Sequence, residues 1–518
     1  MKIFSLKNLG RLRLVFSGVF LLTFTALFSG FIVFKSDAFL ITHWQVMPRV
    51  LTAVALSGLS TISAMLVIAM VTAFCGRIYC SWICPLGLLQ DLIERLSHKI
   101  SGKKRRYRKA NLPLRLAVFI AVAILLFNGF ILVMAYLEPY SLFGKIASGV
   151  IHAVLVLFNQ STLELEQNGS NFIYNATFFL AISGGILLAL AVISAWFGRI
   201  FCNTLCPAGT LLSAIAAKSG RRLNIDPELC VNCGKCEQLC NANCINAAEH
   251  KIDFLNCFMC LECVSACPKN AIKMYRRRKS DLQNIDMPDQ QDRRKILIAA
   301  GVAGVSAWGV SKLVNKAGKV PDDAIAPPGA GSVEKFLATC TGCGLCVSNC
   351  PGGCLQPASG EYGWKGFMLP TMKFSGKTAG KCEYECAKCS NLCPTGALQK
   401  LTRPEKKRCR IGMAYFYPDN CLAYVQGKSC GACQEHCPTA ALTMIPGPKG
   451  ATIPSVNQDL CIGCGNCEYA CPVTPKAIRV KGLKKHTQAA DKNQYAEQQT
   501  AKTPQEGLDF LQNLTDEE

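Results

Sequence analysis

Cysteines are the residues with the clearest chemistry in this chain, which has 32 of them in 518 residues. Two tight runs come first, and their members are Cys230, Cys233, Cys236 and Cys240, then Cys257, Cys260, Cys263 and Cys267. Three closely spaced thiolates bind three irons of one cubane cluster, and the fourth cysteine of each run reaches across to the other cubane. Zinc sites usually use two cysteine pairs instead, and tight runs are poor evidence for disulfides. The spacing therefore predicts two [4Fe–4S] clusters.

The same pattern recurs twice farther along the chain. The first gap is one residue longer between Cys382 and Cys386, and it is eight residues wide between Cys421 and Cys430. Both insertions fall inside a triplet, so we expect a bulged loop without loss of a ligand. Six cubanes are predicted by the crossing rule, with these ligands: cluster 1, Cys230, Cys233, Cys236, Cys267; cluster 2, Cys257, Cys260, Cys263, Cys240; cluster 3, Cys340, Cys343, Cys346, Cys393; cluster 4, Cys382, Cys386, Cys389, Cys350; cluster 5, Cys421, Cys430, Cys433, Cys471; cluster 6, Cys461, Cys464, Cys467, Cys437.

Eight cysteines remain outside these sets: Cys75, Cys80, Cys84, Cys202, Cys206, Cys244, Cys354 and Cys409. Four of them belong to an internal repeat, since residues 76–89 and 198–211 are identical at 8 of 14 positions. Each copy has a Cys-x3-Cys-Pro motif, whose two thiols lie on one side of a helical turn. If the copies pack together, Cys80, Cys84, Cys202 and Cys206 form a further metal or cluster site, or a redox-active thiol pair. The alternative is that they are small buried packing residues.

The elements that must position these thiols begin with apolar segments of membrane-spanning length at about residues 12–34, 50–74, 114–136 and 174–197. Basic residues near the N-terminus and in the run 103–109 place both of these regions on the cytoplasmic side. The repeat copies follow the second and fourth helices, so the membrane domain is predicted to be a duplicated helix pair with both copies at the cytoplasmic surface. The loop after residue 136 then faces outward.

A twin arginine, Arg293 and Arg294, precedes a modestly apolar stretch in mid-chain. It resembles a twin-arginine export signal, and the alternative is a short fifth anchor with ordinary basic flanks. Either interpretation places everything after about Val320 outside. Pro327 follows a cleavage-like Ala-Ile-Ala, so we expect the segment to remain as a fifth helix.

The predicted architecture is multidomain, with an α-helical membrane domain and three α+β dicluster modules like those of bacterial ferredoxins. Its parts are residues 1–215, the four-helix membrane domain; 226–275, a cytoplasmic two-cluster module; 276–320, a basic linker and signal or anchor helix; 333–480, a periplasmic four-cluster region; and 484–518, a polar tail.

The formal charge of +22 does not indicate nucleic-acid binding. Each oxidised cubane with four thiolates carries about two negative charges, so six clusters remove about twelve. No Cys-x-x-Cys-His haem motif, flavin fingerprint or nucleotide-binding loop occurs, and only His152 lies in an apolar stretch. We therefore expect no haem, flavin or nucleotide.

The first half, with its four helices, two GRI-[YF]-C-x3-CP motifs and a dicluster module, resembles the NapH family of ferredoxin-type proteins. The second half, with the twin arginine and the CEYECAKCSNLCP variant, resembles the NapG family, and the related MauN and MauM proteins accompany methylamine dehydrogenase. This resemblance implies an inner-membrane protein that carries electrons from quinol to a periplasmic reductase or its cytochrome subunit, typically nitrate reductase. The alternative is a donor or maturation factor for another periplasmic redox enzyme, and a quinol dehydrogenase activity is left open.

This topology creates a difficulty, because one module lies inside and two lie outside. A hydrocarbon core of about 30 Å would separate them. The repeat cysteines, a bound quinone or a different topology must close the gap.

Overall fold

The computed structural model describes residues 6–29, 45, 59–102, 105–151, 154, 169–276, 290–317, 320–376 and 379–491. His152, most of the basic linker, and the polar tail beyond residue 491 lie outside the described residues.

The N-terminal half is helical. Its helices are α1 (Leu6–Ser29), α2 (Leu59–Cys75), α3 (Ile78–Trp82), α4 (Pro85–Ser101), α5 (Leu112–Phe127), α6 (Leu132–Leu137), α7 (Pro139–Ile146), α8 (Gly169–Phe197) and α9 (Pro207–Ala216), with π-helical turns at Ala147–Ile151 and Phe201–Leu205. Both repeat copies fold alike, with a short helical turn, a Cys-Pro step and a following helix that starts at the proline. Proline suits the first helical position because its missing N–H would have no partner there.

Two helices in the described part of the chain are long and apolar enough to cross a membrane, at Asn8–Phe28 and Phe179–Phe197. The second predicted segment is described only from Leu59, as part of α2. The third differs from the expected continuous helix over residues 114–136, because α5 ends at Phe127 and α6 begins at Leu132. Gly129, with φ of +76°, makes the turn between them, a conformation that favours glycine.

The first cysteine-rich module is a small α+β unit of residues 221–276. Strands β1 (Arg221–Ile225) and β4 (Ile272–Arg276) pair antiparallel around a hairpin of β2 (Ile245–Asn246) and β3 (Lys251–Ile252). Helices α10 (Lys235–Gln238) and α11 (Glu262–Ala266) each carry the third cysteine of a triplet. Two short helices and two strand pairs therefore surround the two predicted clusters.

Helix α12 (Gln290–Ala317) contains the twin arginine and packs along α5, where Gly304 lies close to the Ile124 side chain. The region beyond it consists of α13 (Val333–Thr339), α14 (Leu345–Ser348), β5 (Leu355–Pro357), β6 (Pro370–Met372), α15 (Lys388–Leu392), α16 (Arg403–Arg408), β7 (Cys409–Phe416), α17 (Leu422–Gln426), α18 (Ala432–Glu435), β8 (Leu442–Pro446), β9 (Thr452–Val456), α19 (Asn466–Ala470) and β10 (Ile478–Gln488). Antiparallel pairs form between β5 and β6, β8 and β9, and β7 and β10. The last module thus repeats the arrangement of the first, with one strand pair at its ends and a hairpin between its cysteine runs.

One buried apolar cluster joins the helical half to the first module and to the edge of the second. It contains Phe24 and Phe28 of α1, Phe258 of the first module and Leu345 of α14. The helices and both modules therefore share a core rather than being tethered by linkers alone.

Candidate iron–sulfur centres

Three cavities lie where the spacing places cubanes. Their cysteine linings are Cys230, Cys233, Cys236 and Cys267 for cluster 1; Cys437, Cys461, Cys464 and Cys467 for cluster 6; and Cys350, Cys354, Cys382, Cys386 and Cys389 for cluster 4. Each contains the predicted crossing ligand from the partner run. The cluster 4 cavity contains one additional cysteine, Cys354.

In the other three sets, the third cysteine of the triplet lies near other predicted ligands. Cys263 of cluster 2 lies within electrostatic range of Cys257, Cys260 and Cys240. The corresponding neighbours are Cys340, Cys343 and Cys393 for Cys346 of cluster 3, and Cys430 and Cys471 for Cys433 of cluster 5. Among the described residues, no three His, Cys, Asp or Glu side chains converge closely enough to ligate a single metal ion. The thiolates of a cubane bind separate irons, whereas the ligands of a zinc site converge on one ion.

The local backbone explains how a triplet wraps a cluster. Gly234, Gly344 and Gly465 each precede a short helix with φ between 67° and 79°. This left-handed residue turns the chain between the second and third cysteines. Leu261 holds the same position in the second run with φ of 63°, a conformation that is uncommon for a leucine. The turn is therefore imposed by the fold even where glycine is absent.

The four repeat cysteines also meet. Cys84 lies within electrostatic range of Cys80, Cys202 and Cys206, and all four are at least 93% buried. The Gly209 N–H donates to Cys206 Sγ at 3.2 Å, and the Gly87 N–H makes the equivalent contact with Cys84. The two Cys-Pro turns therefore face each other with matching backbone donors.

Arginines from each copy reach across to the other. Arg199 donates from Nη1 to the Cys80 carbonyl at 2.8 Å, and its guanidinium lies 3.2 Å from where a Cβ on Gly87 would stand. Arg77 lies 3.3 Å from the corresponding position on Gly209. A Cβ on Gly87 would also stand 2.6 Å from the Cys80 carbonyl oxygen, and one on Gly209 would stand 2.2 Å from the Cys202 carbonyl oxygen. These close backbone contacts explain the glycine in both motifs.

Positive charge surrounds these four thiols. Arg77 and Arg199 both interact electrostatically with Cys202, and Arg115 interacts with Cys206. Arg77 is completely buried, and its Nε and Nη2 have no hydrogen-bond partner within the described structure. A buried guanidinium with unused donors is costly unless an anionic group lies beside it. The site is thus suited to a negatively charged occupant.

The protonation of the thiols supports the same conclusion. Burial raises the pKa of Cys202 to about 12, and burial raises the pKa of Cys84 and Cys206 well above the usual thiol value. Without a bound metal, these thiols would therefore stay neutral at pH 7. Metal ligation would instead stabilise their thiolate forms. A thiolate-bound iron–sulfur cluster would supply the anion that the arginines need and could store an electron.

The first module docks directly on the repeat. The Phe258 ring, between two ligands of cluster 2, lies 4.4 Å from the Arg77 guanidinium and 4.8 Å from that of Arg199. Ser81 donates to the Phe258 carbonyl at 3.0 Å, and Arg13 of α1 donates to the Cys260 carbonyl at 3.0 Å. Cluster 2, rather than cluster 1, is therefore the cluster nearest the repeat cysteines.

A buried charge network fixes this junction. Asp91 accepts hydrogen bonds from Arg199 Nε at 2.7 Å and from Asn241 Nδ2 at 3.0 Å, and it also pairs with Arg13. Burial by itself would raise the pKa of Asp91, but the Arg199 and Arg13 guanidiniums outweigh it and hold the pKa below its usual value. The carboxylate stays charged and links α1, both repeat copies and the first module.

On the opposite side, the second module packs against α7. A Cβ on Gly144 would stand 2.3 Å from the Cys343 carbonyl, so only glycine permits this approach. Glu138 interacts electrostatically with both Cys206 and Cys343, and Tyr140 with Cys343. Burial raises the pKa of Glu138 to about 7, although N–H groups of Ser141 and Tyr140 donate to it. Glu138, the N-cap residue of α7, therefore lies between the repeat cysteines and the predicted ligands of cluster 3.

The second and third modules meet through their clusters. The Cys382 N–H donates to the Cys464 carbonyl at 3.2 Å, and the two thiols interact electrostatically. Cys346 of cluster 3 similarly interacts with Cys389 of cluster 4. The predicted ligands of cluster 4 therefore lie near those of both cluster 3 and cluster 6.

Our interpretation of the sequence did not select several residues of these sites. Arg77 and Arg199 were visible as part of the GRI motif, and their identity in both copies was the available signal. Glu138 and Lys145 flank an apolar stretch. A charged residue in such a position needs a partner, and this was the available signal. Phe258 gave no signal, because an aromatic residue inside a cysteine triplet is ordinary.

The fold and the cysteine sites define a ferredoxin-type iron–sulfur electron-transfer protein. Models described as 4Fe-4S binding domains match residues 57–104, 178–226, 227–243, 250–273 and 389–409, and models of 4Fe-4S dicluster domains match 339–398 and 428–474. The first of these models therefore matches around both repeat copies.

Curated relatives agree with this class. The chain is 34% identical to the "Methylamine utilization ferredoxin-type protein MauM" of Methylorubrum extorquens, over 37% of this chain and 90% of the relative. It is 33% identical to the "Ferredoxin-type protein NapF" of Escherichia coli K12 (31% and 87%) and 31% identical to its "Ferredoxin-type protein NapG" (38% and 87%). The chain belongs to the Nap and Mau ferredoxin-type proteins, which confirms the family resemblance. No solved structure matches it.

Proposed function

We propose that this chain is an inner-membrane electron conduit with six [4Fe–4S] clusters and a further cluster at the repeat cysteines. Electrons would pass from the quinol pool to a periplasmic reductase, with nitrate reductase as the acceptor. The observation that carries the proposal is the position of the four repeat thiols between the first and second modules, each of which packs against the helical half.

The contacts between modules give an order of centres. Cluster 1 is followed by cluster 2, the repeat thiols, cluster 3, cluster 4, cluster 6 and finally cluster 5. Phe258 joins cluster 2 to the repeat, Glu138 joins the repeat to cluster 3, and the Cys382–Cys464 contact joins clusters 4 and 6. Each step links sites whose residues contact each other or interact electrostatically, so no proposed step spans the full membrane.

Helix α1 gives the scale of the crossing. Near its start, Arg13 contacts the first module at Cys260, and near its end the Leu27 carbonyl accepts from Asn349 of the second module. Fourteen residues separate these contacts, which at 1.5 Å per residue is a rise of about 21 Å. A centre at the repeat thiols would divide this distance, which removes the difficulty of a single hop across a core of about 30 Å.

Exposed apolar side chains support a lipid environment. Val15 and Leu22 of α1 are 66% and 72% exposed, and Leu188 and Trp196 of α8 are 66% and 65% exposed. Such helix surfaces are unfavourable in water and suit hydrocarbon. With a cytoplasmic N-terminus, α1 would place the first module inside and the second outside. The twin arginine near the start of α12 would then direct export of the later modules with their clusters already assembled.

The central site is best tested by counting iron in the full chain. Replacing Cys80, Cys84, Cys202 and Cys206 by serine should remove about four irons and four sulfides if the site holds a cubane. Cys75→Ser is the matched control, because Cys75 lies next to the repeat but outside the four-thiol set. Equal iron content in the wild type, the four-serine variant and Cys75→Ser would contradict a cluster at the repeat.

Electron entry is tested in proteoliposomes that contain the full chain and a ubiquinol or menaquinol analogue. We expect quinol to reduce clusters 3 to 6. In the variant with all four repeat cysteines changed to serine, quinol should no longer reduce the clusters on at least one side of the repeat. A chain that quinol never reduces, although dithionite reduces it, would favour the assembly role instead.

The acceptor is the second part of this test. The MauM relatives carry methylamine utilization in their names, and they match this chain at 34–35% identity against 31% for NapG. This favours a donor or maturation role for another periplasmic redox enzyme, such as methylamine dehydrogenase, as the second candidate. Reduced proteoliposomes offered each acceptor system separately should transfer electrons to one and not to the other.

A further inference from the structure

Two cysteines outside the predicted sets occupy equivalent positions in different modules. Cys244 follows Cys240 by four residues, and Cys354 follows Cys350 by four residues. In the other cysteine runs, the residues at this position are Ala271, Ala397, Ala441 and Pro475. The extra thiols therefore take the place of a small apolar residue beside the cluster.

Both extra thiols lie against ligand thiols. The Sγ atoms of Cys240 and Cys244 are 3.5 Å apart, and Cys244 is 2% exposed. Cys244 also contacts Cys257, so it lies between two ligands of cluster 2.

The second module repeats the arrangement. Cys350 and Cys354 have their Sγ atoms 3.8 Å apart, Cys354 is 1% exposed, and it contacts Cys382. The cavity of cluster 4 is consequently lined by five cysteines, one more than a cubane uses. Two separate modules thus place a fifth thiol beside the crossing ligand.

We propose that Cys244 and Cys354 are alternative ligands of clusters 2 and 4, able to replace Cys240 and Cys350. In the exchange, the iron bond to the Cys240 thiolate breaks, a bond to Cys244 forms, and the proton of the Cys244 thiol passes to Cys240. Neither the charge of the cluster nor its oxidation state changes. The separation of the sulfurs is small enough for a side-chain rotation to accomplish the replacement.

The consequence is that clusters 2 and 4 keep four ligands when the crossing cysteine is lost or chemically modified. Cluster 6 lacks this property, because Ala441 stands where the extra thiol would be. Clusters 2 and 4 are both interior members of the proposed order of centres, so loss of either would interrupt the route. The inference rests on the cluster assignment in the proposed function.

The test compares the same substitution in different modules of the full-length protein. Cys240→Ala and Cys350→Ala should each retain wild-type iron and sulfide, whereas Cys437→Ala should lose about four irons. The double variants, which also change Cys244 or Cys354 to alanine, should lose the same amount as Cys437→Ala. Electron paramagnetic resonance should show altered but present signals in the single variants, because the ligand has changed.

Two outcomes would overturn the alternative-ligand proposal, and a third would refute the cluster assignment. A loss of about four irons in both single variants, equal to that in Cys437→Ala, would overturn the alternative-ligand proposal. Failure of both to accumulate, while Cys244→Ala and Cys354→Ala accumulate normally, would overturn it as well. Wild-type protein without iron would instead refute the cluster assignment, so the two failures are distinguishable.

Discussion

Replacing Lys145 by methionine is expected to lower the reduction potential of cluster 3. Lys145 is 1% exposed, its Nζ donates to the Ala135 carbonyl at 2.7 Å, and it lies 3.7 Å above the Tyr136 ring. Its Cε is 3.5 Å from where a Cβ on Gly342 would stand, and its charge interacts with Cys340 and Cys343. A buried ammonium beside the cluster stabilises the added electron.

The size of the effect follows from Coulomb's law. For a charge about 8 Å from the cluster and an effective dielectric of about 20, the interaction is about 2 kcal/mol. For a one-electron couple this corresponds to about 90 mV. Methionine has a similar length and no charge, so the packing should change little while the potential falls.

The assay is a redox titration followed by electron paramagnetic resonance. Burial lowers the pKa of Lys145 to about 7, so the titration is run at pH 6, where the ammonium is charged. Cluster 3 is recognised as the signal that Cys343→Ala removes. Lys145→Arg should keep the wild-type potential, and Lys484→Met, at an exposed site, should have no effect. An unchanged potential in Lys145→Met with intact iron content would refute the electrostatic argument.

Three further predictions concern the same junctions. In wild-type protein the potential of cluster 3 should fall between pH 6 and pH 8, because Lys145 loses its proton, and the fall should be absent from Lys145→Met; redox titrations at both pH values measure this. Phe258→Leu should keep all clusters but slow electron transfer between the first module and the repeat, seen in stopped-flow reduction by quinol, and an unchanged rate would exclude Phe258 from the route. Arg13→Met should lower the free energy of unfolding by about 3 kcal/mol, because it leaves the buried Asp91 with one fewer cation; chemical denaturation with Lys484→Met as control measures this, and equal stability would contradict the network.

Local spacing allowed the cluster ligands to be predicted from the sequence. A triplet at two-residue gaps can bind one cubane because the intervening turn is short, and the next cysteine is too far away to reach the same cluster. Predicted ligands lie near one another in the described structure, including Cys382 of one widened run beside Cys386, Cys389 and Cys350. The four repeat cysteines were likewise recognisable, since duplication placed the same motif after two helices.

Helix boundaries were less predictable. Hydropathy treats residues 114–136 as one apolar segment, but Asn128 and Gly129 end α5 after Phe127 because Gly129 adopts a positive φ. Apolar composition determines where a helix can be buried, whereas a single turn residue decides where it stops.

The sequence by itself predicted the cysteine ligand sets and determined the duplicated motif and the apolar segments, because each depends on residues close together in the chain. Only the tertiary structure decided that an arginine of each repeat copy reaches the other copy, that Phe258 packs against both arginines, and that Lys145 lies near Cys340 and Cys343. These contacts join residues tens to hundreds of positions apart, and their geometry depends on packing that no local pattern encodes. The six predicted clusters could therefore be inferred from the sequence as separate sites, whereas the order proposed for them rests on contacts in the fold.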